Sequence, residues 1–268
     1  MVSLKKNNRW KIIVLATLFN LSLEYAFRGY AQFFTRPLLI LFLFGTYFAI
    51  YTILEDLIVR YKITNLQLVL SIWPLGLIPM AFGTGLVFND PQFLGINWVN
   101  LLFVELLWWG ILQAILTFYF ANRLVARDWN HPCLGKLGWT LCLTYIIGSF
   151  TFTKFVVPPT SFPSLLGFGS FLLLLIGPTI FLFFDLPKNI KRQRRIWQFV
   201  PSATLDILSF GSLLIFLFLG TYFGGYQTFN QASSSFINPI SRFIIIRWTF
   251  IYSFVFLLYR WKKGEITI

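Results

Sequence analysis

Residues 96–120 read INWVNLLFVELLWWGILQAILTFYF, and this stretch settles what kind of chain it belongs to. Glu105 is its one charged side chain. A helix rises about 1.5 Å per residue, so roughly 20 apolar residues cross ~30 Å of hydrocarbon. A run this long and this apolar predicts a membrane-spanning helix. Seven further runs share the character, at 10–27, 37–54, 66–88, 137–157, 164–184, 202–222 and 240–259. Pro37 opens the second, Asn89-Asp90-Pro91 parts the third from the fourth, and Pro158-Pro159 closes the fifth. Proline has no N–H to give a helix interior, so it costs least at such ends.

The composition agrees. Of 268 residues, 57% are hydrophobic and 12% charged, with a mean hydropathy of +0.73. A globular chain carries about 25% charged residues, so this one lacks the polar surface of a soluble enzyme, a disordered segment or a disulfide scaffold. The expected fold is an all-α polytopic membrane helical bundle of eight transmembrane helices. Residues 1–268 would form a single transmembrane domain with short loops and no separate soluble domain.

A net charge of +13 would point to nucleic acid in a soluble protein, but here the bases are sorted by loop. Seventeen of the 22 lie in the N-terminal segment up to Lys11, after the even-numbered runs or in the tail, including Arg60, Lys62, Arg123, Arg127 and Lys136. The positive-inside rule makes that basic side cytoplasmic, with both termini on it. Eight spans satisfy this alternation and an odd number does not. The membrane is taken as the plasma membrane or another energy-transducing one. The basic start followed by residues 12–19 looks like a signal peptide, yet Asn20 and Glu24 follow with no small-x-small site, which predicts an uncleaved first span.

Charged residues that fail to reach an interface carry the functional information, because each costs about 2.5–3.5 kcal/mol at a helix centre. Glu105 lies nine residues past Ile96, about 13 Å below the outer boundary. Arg247 lies seven residues past Ile240 in the eighth run, at a similar depth. The two are expected to pair, either as a structural bridge or as the polar base of an outward-facing cavity. Trp98, Trp109 and Leu112 fall on the helical face of Glu105 and would form its walls. Glu24 and Arg28 stand four apart near the outer end of the first run, an interfacial salt bridge or a partner site to Glu105. Glu55 and Asp56 point about 100° apart and read as a solvated helix end, and Asp206 is expected to meet loop bases. Gly76, Pro79 and Gly83 form a small-residue face on the third run, where Pro79 should bend the helix.

No metal or other cofactor is expected. Cys133 and Cys142 make no CxxC, His131 is the only histidine, and no phosphate loop or nucleophile elbow is present. Residues 24–30, EYAFRGY, resemble in part the Glu-Glu-x-x-x-Arg motif of CAAX-type intramembrane proteases, but Leu23 replaces the first glutamate and the histidine-bearing helices have no match. Phe88-Asn89, Leu94-Gly95-Ile96 and Glu105 resemble the membrane lycopene cyclase domain over about 20 residues, without its proline and second acid. That resemblance implies an isoprenoid ligand.

Three functions fit. The chain binds or modifies a lipophilic molecule, a lipid or isoprenoid, through Glu105, Arg247, Glu24, Arg28, Trp98 and Trp109. Alternatively it is a non-catalytic subunit beside partner membrane subunits, or a secondary transporter with Glu105 as its proton-sensitive group. Membrane lipids are partners under every reading, and nucleic acid under none.

Overall fold

The computed structural model describes residues 8–35, 37–83, 85–156, 163–192, 202–222 and 239–262. Among them the chain is helical, with no strand beyond one Phe93–Ile96 bridge. The helices are α1 Asn8–Arg28, the short α2 Gln32–Thr35, α3 Pro37–Tyr61, α4 Asn65–Phe82, α5 Trp98–Leu124, α6 Lys136–Val156, α7 Leu165–Arg192, α8 Ala203–Thr221 and α9 Pro239–Lys262. A helix thus occupies each of the eight apolar runs. Six are long and apolar enough to cross a bilayer: α3, α4, α5 and α8, with Leu165–Asn189 of α7 and Phe243–Lys262 of α9. The chain is therefore a helical, multi-pass integral membrane protein.

Burial ranks the helices. Of the apolar window of α5, 67% is buried, against 17% for α7. α5 is the axis of the bundle and α7 a peripheral helix. α5 packs along α4 and α9, and its basic end meets α1. α1 in turn lies on α3 and α8, α3 on α6, and α4 on α7. One core cluster joins these helices through Ile13, Tyr25, Ile50, Leu112, Phe118, Phe216 and Tyr252, and a second gathers Leu77, Val87, Phe88, Ile96 and Phe171 at the other end.

Two helices depart from regular α winding. From Pro79 onward α4 widens into a π turn, Pro79–Gly83. In α5 the whole of Leu102–Leu116 takes the i→i+5 pattern. π turns are rare and concentrate at functional sites. Between these helices, Gly95 (φ +73°) lies so close to Gly167 of α7 that a Cβ on it would meet the Gly167 backbone at 2.4 Å. Only glycine serves both the backbone angle and the contact. The polar segment around Ser233–Ser235, expected as an outer loop, lies outside the described residues.

Candidate functional site

Among the described residues, buried charged and polar side chains gather notably at the basic end and in the interior around Glu105. The basic end holds a result that sequence reasoning missed. Glu55 and Asp56 are fully buried, so the reading of a solvated helix end is overturned. Glu55 accepts two hydrogen bonds of 2.8 Å from Nε and Nη2 of Arg127, in the loop between α5 and α6. Asp56 accepts from Arg60 (2.9 and 3.2 Å), from the Leu134 amide (2.8 Å) and from the Trp139 indole (2.9 Å). Consecutive helix residues diverge, and each acid thereby grips a different part of the same loop. Arg9 of α1 adds bonds to the carbonyls of His131 (3.0 Å) and Pro132 (2.6 Å).

Within this loop the Asn130 amide, with His131 Nδ1 at 3.0 Å, holds the Asp128 carboxyl below the usual carboxylate range. Burial lowers the Lys62 ammonium, which lies 5.1 Å from the Trp129 ring and donates to the Trp129 carbonyl. Burial, with Glu55 nearby, pushes the Cys133 thiol up to about 12. The one sequence signal for this lock was the loop itself, which places Arg127, Asp128, Trp129 and His131 together without a flexible spacer.

Beside the lock a crevice of about 1010 Å³ opens between the basic ends of α3, α6 and α7. Leu57, Leu182, Phe183, Phe184 and Leu186 form its apolar walls, and Arg60, Lys136 and Trp139 its polar rim. Phe183 and Phe184 are largely exposed, so the crevice opens on the outside of the bundle.

The interior group contains most of the residues expected to form the site. Glu105 is fully buried, and neither of its oxygens has a hydrogen-bond partner. The expected pair with Arg247 is not formed. The Arg247 side chain is exposed, with its guanidinium 3.3 Å from the centre of the Phe243 ring. Depth along two helices fixes the level of a residue but not its azimuth. Arg247 faces away from the bundle, and α5 carries Glu105 on π rather than α winding, so the two side chains diverge.

Glu105 turns instead toward α4. A Cβ on Gly76 would come within 2.6 Å of Glu105 Oε2 and 3.0 Å of the Trp109 ring. Trp109 stands with Glu105, as expected, and its ring centre lies 6.1 Å from that of Tyr47 on α3. The Tyr47 hydroxyl donates to Glu24 Oε2 on α1. Glu24 and Glu105 are thus connected through Tyr47 and Trp109 rather than directly. Trp98 lies apart from this chain, its indole donating to the Phe93 carbonyl at 2.9 Å. Arg28 belongs to α1, but its side chain lies outside the described residues. One turn below Glu24, the Asn20 amide is buried without a partner, and so is Gln113 Oε1 on α5.

At the basic end of α5, Arg123 and Tyr119 meet Asp206 of α8 at 2.7 and 2.5 Å, the loop-side partner expected for that acid. No family model, curated protein or solved structure matches this chain.

Proposed function

We propose that this is an eight-span integral membrane protein, with α1 and α6 as the two further spans and both termini cytoplasmic, that binds a lipophilic molecule. The crevice between α3, α6 and α7 carries the reading. Its volume of about 1010 Å³ is at the upper end of ligand cavities, and its walls are aliphatic and aromatic with a few polar groups at the rim. In the proposed orientation it opens to the cytoplasmic leaflet, the leaflet opposite to the one first expected. Glu105, Glu24 and Trp109 then belong to an interior polar core rather than to the ligand contact.

Gentle detergent purification, native mass spectrometry and lipid extraction test this. The wild-type chain is expected to retain a lipophile, and Leu57→Trp, which narrows the crevice, to lose it. Equal retention by both proteins removes the crevice as the site.

A subunit role in a larger membrane assembly is a second reading, favoured by α7. Its apolar window is the least buried of the six candidate spans, and Leu173, Phe183 and Phe184 are widely exposed along it. A second polypeptide seated on α7 in the same mass spectra would support this reading.

A further inference from the structure

We infer that the occupant of the crevice is an anionic phospholipid, held by its headgroup at Arg60 and Lys136 and by its chains along α7. The inference rests on the crevice being a ligand site, and adds the chemistry of the ligand.

The rim has an unbalanced charge. Arg60 directs Nε and Nη2 to Asp56, and Nη2 also to the Leu134 carbonyl at 2.6 Å, which leaves Nη1 unengaged. Asp56 is the acid beside the rim, and it is closed to solvent with its oxygens taken by Arg60, the Leu134 amide and the Trp139 indole. Lys136 is exposed and pairs with no described carboxylate. It also heads α6, whose first turn contains no acid, so the amide dipoles there add positive potential. Asp185, the acid on the adjoining turn of α7, is bonded to Gln67 at 2.7 Å and does not line the crevice. The open face of the rim is therefore cationic, and a phosphodiester satisfies it.

The apolar half matches the rest of the same molecule. Leu182, Phe183 and Leu186 continue the crevice along α7 toward the bilayer centre, where an acyl chain lies beside a headgroup at the level of Trp139. A free phosphate would use the rim and leave these walls unused. Basic residues near a membrane surface are worth about 1 kcal/mol each toward anionic lipid, which corresponds to roughly fivefold in affinity.

Native mass spectrometry of the full chain, with phosphatidylglycerol and phosphatidylcholine of identical acyl chains, tests the assignment. Phosphatidylglycerol is expected to be retained several-fold over phosphatidylcholine. Lys136→Gln, a change at an exposed side chain, should lower phosphatidylglycerol retention about fivefold and leave phosphatidylcholine unchanged, while Lys11→Gln on α1 alters neither. Equal retention of both lipids, each lost in Leu57→Trp, overturns the headgroup assignment and leaves the crevice as a lipophile site. Retention of both lipids in Leu57→Trp overturns the crevice reading as well. Displacement of phosphatidylglycerol by inorganic phosphate alone would reassign the rim to a free anion.

Discussion

The guanidinium of Arg127 meets the carboxylate of Glu55 fork to fork, with two hydrogen bonds of 2.8 Å and both side chains closed to solvent. The Phe118 and Trp129 rings lie 5.4 and 5.1 Å from the guanidinium carbon. Such a pair adds little net stability over a well-packed apolar pair, because each ion gives up its hydration to form it. Breaking it is another matter, since one charge is then left buried alone. Its evident effect is geometric, in that it fixes the loop before α6 against the end of α3 and so shapes the rim of the crevice.

Arg127→Met is accordingly expected to destabilise the protein by about 3–5 kcal/mol. The double variant Glu55→Gln with Arg127→Met should recover much of that loss. Thermal unfolding in one detergent, followed across the wild type, both single variants and the double, checks this. Strictly additive losses would show that the two groups are not coupled.

The contact between Gly76 and Glu105 gives a second prediction. Adding a methyl at residue 76 places it 2.6 Å from the carboxyl and 3.0 Å from the Trp109 ring, so Gly76→Ala forces both to shift. Overpacking of this kind costs about 1–3 kcal/mol. Shortening the carboxyl-bearing side chain makes room, and Gly76→Ala should be less damaging in a Glu105→Ala background. A double-mutant cycle on thermal unfolding measures the coupling, which is expected to exceed 0.5 kcal/mol. Zero coupling would place the Glu105 carboxyl away from α4.

Some of this was legible in the sequence and some was not, for identifiable reasons. Hydrophobic run length located a helix at each of eight places, because spanning hydrocarbon imposes a length that few other structures need. Pro79, expected to disturb its helix, stands where α winding gives way to a π turn. That Glu105 falls inside a helix rather than at its end was also readable, from its place within a long apolar run. What it faces was not, because rise says nothing of azimuth and α5 leaves the α period on which facing residues are computed. The burial of Glu55 and Asp56 escaped for a different reason. An acid at a helix end looks solvated until a loop is known to fold over it, and that loop is fixed by bonds to main-chain groups of Leu134, His131 and Pro132. Backbone acceptors and donors are the same in every sequence, so no residue type announces them.

Cys133 supplies a chemical reading of the same loop. Thiolate is the reactive form, and a free cysteine reaches half ionisation near pH 8.5. Burial beside Glu55 and Asp56 pushes the Cys133 thiol up to about 12. Alkylation by iodoacetamide in a Cys142→Ser background should therefore be slow at pH 7 and climb about tenfold per pH unit, still rising at pH 10. An ordinary thiol levels off once it is mostly ionised, so a plateau near pH 9 would mean that Cys133 lies open to water. In Arg127→Met the loop loses its anchor on Glu55, and the pH–rate profile of Cys133 should shift toward that plateau. A profile unchanged by the substitution would show that Arg9 and Asp56 hold the loop without Arg127.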